Sequence, residues 1–169
     1  YTTYINGQLY RSYDQWTGDV YNDISPNGDY TALGGDWVAP YTLDPSNANT
    51  IVAGYRQIWR STNQGNSWTA ISGNIAGGAG VTSIAVAPSN SNWIYAGYGG
   101  NLYRTTDLGG TWTTFNPPVS NNITSITVHE FYPTTVWVTV SGYPAGQKVF
   151  KTVDGGNSWT NVSGSIPNM

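Results

Sequence analysis

At 169 residues the chain has the length of one ordinary domain with a real core. Charged residues make up only 9% of it and aromatics 14%, so it is no disordered tail, and its polar surface has to come from Asn, Ser, Thr, Gln and Gly, as in an extracellular β-protein. The net charge of −3, six scattered Lys and Arg and the lack of Cys exclude a phosphate-neutralising nucleic-acid surface, a disulfide framework and thiolate chemistry.

In chain order, the first short alternating run is QLYR (8–11), followed by the hydroxyl and carboxylate of Ser12 and Asp14. A long connection, VYNDISPNGDYTALGGDW (20–37), carries Asp23, Asp29, Asp36 and Trp37. Then come YTLDPSN (41–47), TIVAGY (50–55), QIWR (57–60), the octet STNQGNSW (61–68) and WTAIS (68–72). The series repeats as IAVAPSN (84–90), WIYAGY (93–98), NLYR (101–104), TTDLGGTW (105–112) and WTTF (112–115). It repeats again as ITVHEFYP (126–133), VWVTVSGY (136–143), KVFK (148–151), TVDGGNSW (152–159) and WTNVS (159–163).

Each unit is four short β-branched or aromatic runs separated by Gly, Pro and Asn, with period-2 alternation and no helical period. The octet tryptophans Trp68, Trp112 and Trp159 stand 44 and 47 residues apart, the size of one four-stranded propeller blade. The predicted fold is therefore all-β, a partial β-propeller of four-stranded antiparallel blades. Naming the strands a to d from the inside out, each octet becomes the hairpin between c and d. Boundaries follow: a half blade of strands c and d over 1–20, then complete blades over 37–72, 81–116 and 122–163. No apolar run is long enough for membrane insertion. A chain that opens at Tyr1 on a half blade reads as a fragment of a longer polypeptide, its open edges covered by remaining blades or another chain.

Within the octets, the hydroxyl and the carboxylate or amide two residues on are placed to hold turn N–H groups, in the pairs Ser61 and Asn63, Thr105 and Asp107, Thr152 and Asp154. Gly65, Gly109 and Gly156 stand where a positive φ is needed, and Trp68, Trp112 and Trp159 are expected to cover the turn. These residues are read as structural rather than catalytic. The octets match Ser/Thr-x-Asp-x-Gly-x-x-Trp and resemble the Asp box, also called the bacterial neuraminidase repeat, with Asn63 replacing Asp in the first. Asp boxes occur in sialidases, xyloglucan-degrading hydrolases, sortilin-type receptors and photosystem assembly factors. The phrasing GDWVAPYTLDPSN is similar to that of large secreted bacterial cell-surface proteins. The resemblance implies a secreted or surface location, and a ligand face opposite the boxes.

That face is built from the d–a and b–c connections. Tyr55, Tyr98 and Tyr143 each follow a glycine there, and they read either as a sugar-stacking surface or as packing between blades. Arg56 and the Asp36–Trp37 pair break the repeat and join them as candidate ligand residues. No catalytic pair is assigned: Glu130 is expected near the opposite face, whereas glycoside hydrolysis needs two carboxyls across one bond. The single His129 and the spacing of the Asp residues give no metal site, and no cofactor is expected. The function expected is a non-catalytic module of a secreted or cell-surface protein, acting in adhesion, scaffolding or glycan binding, with a glycan or surface protein as partner. The alternatives are part of a polysaccharide-degrading glycoside hydrolase propeller, and an architectural unit of a fibre or layer.

Overall fold

The computed structural model describes residues 1–166 except 5–6, 15–16, 19–20, 29–32, 79, 119 and 144. Asp29 lies outside the described residues. Among the described residues the elements are a 3-10 turn (Pro26–Gly28) and fifteen short strands: β1 (Thr2–Thr3), β2 (Leu9–Ser12), β3 (Tyr21–Asp23), β4 (Tyr41–Asp44), β5 (Asn47–Gly54), β6 (Ile58–Ser61), β7 (Thr69–Ala70), β8 (Ser83–Val86), β9 (Ile94–Tyr98), β10 (Asn101–Thr105), β11 (Thr113–Phe115), β12 (Ile123–Val128), β13 (Val136–Val140), β14 (Val149–Thr152) and β15 (Thr160–Asn161). The strands form four antiparallel sheets in chain order, β1-β2-β3 (I), β4 to β7 (II), β8 to β11 (III) and β12 to β15 (IV). Each sheet is a meander, since neighbours in sequence are neighbours in space. Sheet I has three strands and runs to Asp23, where a two-strand half blade over 1–20 was expected; Thr2 and Thr3 pair with Tyr10 and Leu9 and supply the extra strand.

The sheets stack face to face, with β8 packed on β4 and β5, and β12 on β8 and β9. One apolar cluster fills each junction. Leu9, Ile24, Ile51 and Tyr55 lie between I and II; Val52, Ile58, Val81 and Ile94 between II and III; Tyr95, Leu102, Ile123 and Val138 between III and IV. Close approach of the inner strands depends on glycine in the second strand. A Cβ on Gly54 would sit 2.1 Å from Val81 Cγ2, and one on Gly97 2.9 Å from Ile123 Cγ2.

The octets fold as expected and do more than close hairpins. In the second, the Thr105 hydroxyl donates to Asp107 Oδ1 (2.7 Å) and accepts the Gly109 N–H (2.8 Å). Asp107 Oδ1 also accepts the Thr111 N–H at 2.8 Å. Thr152 with Asp154, and Ser61 with Asn63, repeat the pattern. Gly65, Gly109 and Gly156 have φ of 89°, 96° and 112°. Each lies against the end of the preceding sheet's last strand or the residue just past it: a Cβ there would fall 2.6 Å from Ile24 Cδ1, 2.1 Å from Ile71 O and 2.8 Å from Phe115 Cγ.

The first two tryptophans reach across the same gap. Trp68 Nε1–H donates to Ile24 O (2.7 Å) and Trp112 Nε1–H to Ile71 O (2.8 Å), while Trp159 donates to Gly156 O of its own octet (3.0 Å). In return, bases of the preceding sheet reach the fourth octet position. Arg11 Nη1–H donates to Gln64 O (2.6 Å) and Arg104 Nη1–H to Gly155 O (2.8 Å). Arg11 and Arg104 are thus inter-sheet ties. On the octet side, Asp44 of sheet II accepts the Ser91 hydroxyl of sheet III at 2.6 Å, and Tyr95 OH donates to Pro133 O at 2.7 Å.

Two outcomes follow for stability. Trp112→Phe removes one cross-sheet hydrogen bond and should cost about 1 kcal/mol in urea unfolding; Trp112→Ala also empties the half-buried ring site and should cost about 3 kcal/mol. The Thr105 hydroxyl and the Thr111 N–H and hydroxyl hold the Asp107 carboxyl below its ordinary 3.8, and the Ser158 hydroxyl, the Ser158 N–H and the Thr152 hydroxyl do the same for Asp154. A depressed folded pKa contributes stability in full above the unfolded value and loses it as pH falls through the folded one. The melting temperature should therefore respond to these groups only below about pH 4. The double variant Asp107→Asn/Asp154→Asn gives both octets the amide that Asn63 already supplies in the first, and it should melt with a flatter acid dependence.

Candidate ligand face at the loop end of the sheets

Octets and a–b turns share one end of sheets II, III and IV, because Gln64 N–H donates to Asn49 O, Leu108 N–H to Asn92 O and Gly155 N–H to Thr134 O. The d–a and b–c connections lie at the other end. Asp36 precedes β4 at this loop end, whereas Glu130 follows β12 at the octet end, so the two do not face each other across one cleft.

Strand register decides which loop residues correspond. Gly54 pairs with Ile58, Gly97 with Leu102 and Thr139 with Val149. Tyr55 and Tyr98 are therefore equivalent, and their counterpart in sheet IV is Val140, whose N–H donates to Lys148 O. Tyr143 is not the third member of the set. It stands three residues further on, in a b–c loop (141–147) longer than those of sheets II and III.

Over sheet II, Tyr55 is fully buried and its hydroxyl donates to Gly7 O at 2.7 Å. Burial pushes its phenol well above the ordinary tyrosine range, and the charge of Asp23 adds to this. Of the two readings of this tyrosine, the structure has packing between sheets. Arg56 lies exposed beside it: its guanidinium Nε and Nη2 donate to Gly78 O (3.3 and 3.2 Å), its N–H to Leu33 O, and its carbonyl accepts from Ile75 and Ala76. Arg56 thus staples two connecting segments together. Asp36 Oδ1 accepts the Trp37 N–H (2.7 Å), and the Trp37 ring is 64% exposed.

Over sheet III, Tyr98 is half-buried and packs on the cluster between sheets II and III. Beyond it, Gly100, Asn101, Asn116, Pro117, Pro118 and Ser120 line an open cavity of about 380 Å³. Its lining is uncharged, with amide and hydroxyl groups beside flat proline rings. Sequence reasoning did not single out these residues; the signal available was Asn116-Pro117-Pro118, which breaks the pattern of the other d–a connections. Over sheet IV, Asn121 Nδ2–H donates to Ser141 O (2.7 Å) and Ser141 N–H to Asn122 O (2.9 Å), joining the end of that connection to the loop carrying Tyr143. Lys148 Nζ donates to Gly142 O inside the loop, and Tyr143 is 77% exposed. The face thus presents Trp37, Arg56, the cavity and Tyr143 in turn, while Tyr55 and Tyr98 support it from below. Among the described residues, no cluster of three or more His, Asp or Glu gathers to hold a metal ion.

Four-stranded meanders stacked face to face, with connections gathered at one end, define a β-propeller architecture. A family model for Sortilin-Vps10, described as sortilin, neurotensin receptor 3, matches residues 8–168, and the chain belongs to that family. Among solved structures, the GH74 xyloglucanase from Xanthomonas campestris superposes with a TM-score of 0.74 at 18% identity, covering 98% of this chain and 28% of that one. An ancestral GH74 enzyme gives 0.57 at 22% identity, covering 75% and 18%. The structure of YCF48 bound to D1 peptide gives 0.55 at 14% identity, covering 77% and 42%. No curated protein matches the chain. At these identities the likeness is one of fold, and the chain spans less than half the length of each of these three structures.

The two kinds of tyrosine should separate in mutagenesis. Tyr55→Phe leaves Gly7 O unpaired in a buried site and should cost about 1–3 kcal/mol in urea unfolding. Tyr143→Ala should change stability by less than about 0.5 kcal/mol.

Proposed function

We propose that the chain is an Asp-box propeller segment of a secreted or cell-surface glycoside hydrolase that degrades polysaccharide. Its share of the work is to hold the polysaccharide, while the catalytic pair of carboxyl groups lies at least partly on other segments. The uncharged cavity between Gly100 and Ser120 carries this reading. Neutral sugars present hydroxyls and apolar ring faces, which suit amide and hydroxyl partners together with exposed aromatic rings. Asn101, Asn116 and Ser120 supply the hydrogen bonds, and Trp37 and Tyr143 are the rings free to stack. The fold shared with GH74 xyloglucanases supports a hydrolase over the adhesion module that composition suggested first. The octets, with their Ser/Thr-x-Asp-x-Gly-x-x-Trp pattern, act here as Asp boxes, the structural end of the blade opposite the ligand.

The test is affinity electrophoresis in gels holding xyloglucan, with anionic polygalacturonate as control. The protein should be retarded by xyloglucan alone. Asn101→Ala/Asn116→Ala should weaken that binding roughly ten-fold or more, the loss of hydrogen bonds to a ligand at a few kcal/mol in all. Retardation by neither polymer, or retardation untouched by the double variant, would remove the reading.

A further inference from the structure

Sheets III and IV pass from their first strand to their second on one backbone frame, with residues 87–93 linking β8 to β9 and residues 129–135 linking β12 to β13. Ala87 N–H donates to Trp93 O and His129 N–H to Thr135 O, both at 2.9 Å. Trp93 N–H donates to Asn90 O (2.9 Å) and Thr135 N–H to Tyr132 O (3.0 Å). Counting along that frame sets His129 on Ala87, Phe131 on Ser89 and Tyr132 on Asn90. Ser89 and Asn90 are exposed, as a surface hydroxyl and amide should be. Phe131 and Tyr132 are 67% and 61% exposed in the same places, so the turn asks for no aromatic ring at either. The rings are grouped. That of His129 lies 4.9 Å from Tyr132, 6.1 Å from Phe131 and, stacked at 21°, 6.1 Å from Trp137. Val136, Val138 and Phe150 join the III–IV cluster, so Trp137 and its strand partner Lys151 share the outer face of sheet IV, where Lys151 Nζ lies 5.1 Å from the centre of the indole. The turn itself is pinned: Phe131 N–H donates to His129 Nδ1 (3.0 Å), Tyr95 OH to Pro133 O (2.7 Å) and Gly155 N–H to Thr134 O (2.8 Å). With Nδ1 accepting, the neutral imidazole carries its proton on Nε2.

We propose that this rigid aromatic turn is a second glycan site, at the octet end of the molecule, for the neutral polysaccharide held at the loop end; its ligand class rests on that reading. A pyranose sets its C–H face on Phe131 or Tyr132, and its hydroxyls meet His129 Nε2–H, the Tyr132 hydroxyl and the exposed Glu130 carboxylate. Size selects a sugar over a protein partner. An aromatic side chain offers roughly 150–250 Å², and two of them fall well short of the roughly 800 Å² a side that a stable protein interface covers. Charge selects a neutral sugar over an acidic one, because Glu130 repels a carboxylate and Lys151, the base of the cluster, is held on the Trp137 ring. With sites at opposite ends, one molecule holds two stretches of polymer at once, and its retention on a polymer network exceeds that of either site alone.

The experiment titrates the intact chain with a xyloglucan oligosaccharide and follows it by NMR. The Phe131 and Tyr132 amides and the Trp137 indole N–H report on the octet end, and the side-chain amides of Asn101 and Asn116 on the loop end. Both sets should shift saturably, and the octet-end set should do so unchanged in Asn101→Ala/Asn116→Ala. Phe131→Ser/Tyr132→Asn copies the turn that sheet III already uses. It should weaken octet-end binding at least roughly ten-fold, read at the Trp137 indole, and leave the loop-end shifts and the urea midpoint where they were. Loop-end shifts without octet-end shifts would overturn this inference and leave the proposed function standing, whereas octet-end shifts alone would do the reverse. No shift at either end overturns both. Octet-end shifts of equal strength with an oligogalacturonide, or with rising protein concentration and no sugar, would also overturn the inference, since the occupant would then be an acidic sugar or a second copy.

Discussion

The structure depends on one contact above others: the octet of each sheet pressed onto the end of the sheet before it. The outermost strands are two or three residues long, too short to hold a stack by their own ladders. The octet compensates by spanning the gap. Its hydroxyl and carboxylate saturate the turn internally, which leaves the glycine bare enough to lie on Ile24, Ile71 or Phe115. In the first two octets the indole N–H then closes the contact on a neighbouring carbonyl. The fourth residue is held left-handed in all three, with φ of 60° at Gln64, 57° at Leu108 and 73° at Gly155. For Gln64 and Leu108 that conformation costs roughly 1–2 kcal/mol each. At Gln64 and Gly155 the carbonyl of this residue accepts an arginine from the sheet behind, an interaction that offsets such a cost and needs no acidic partner. A chain with so few charges can therefore keep Arg11 buried by surrounding it with carbonyl and amide oxygens.

Because this contact sits at one end of sheets II, III and IV, the other end is released from structural duty. The b–c turns can differ from sheet to sheet without disturbing the junctions, and they do: a single residue, Arg56, between the paired Tyr55 and Gln57, then Gly99-Gly100, then the seven residues 141–147. The d–a connections vary likewise, from the segment around Trp37 to the Asn116-Pro117-Pro118 link. A polar, uncharged cavity forms where two of these variable pieces meet. The division of labour is physical rather than incidental. A constant clamp at one end holds the strands rigid, and a rigid scaffold is what lets loops carry recognition.

Much of this was legible in the residues. Repetition every 44 to 47 residues, with alternating runs and regular Gly, Pro and Asn, pointed to four-stranded antiparallel sheets, the form that sheets II to IV take. The octet turn was legible down to its hydroxyl, carboxylate and glycine, because those hydrogen bonds are local. The destination of the tryptophans was not, since Ile24 and Ile71 lie in the preceding sheet and no local pattern names them. The tyrosines mark the same boundary. Gly-Tyr recurs three times, yet only register shows that Tyr143 sits in an inserted loop while Tyr55 and Tyr98 end paired strands. Asn101 and Ser120 carried no signal, as isolated Asn and Ser are this chain's ordinary surface residues, and the Asn116-Pro117-Pro118 break marked only that one connection differs.

By itself, then, the sequence determined the all-β class, the blade unit, the octet hairpin and the low-charge surface, all consequences of short-range alternation and turn chemistry. Only the tertiary structure decided which residues are buried between sheets, which loops share an end, and what lies exposed on the outer face of sheet IV. Those properties depend on the face a neighbouring sheet covers, and period-2 alternation names two faces without saying which of them is covered.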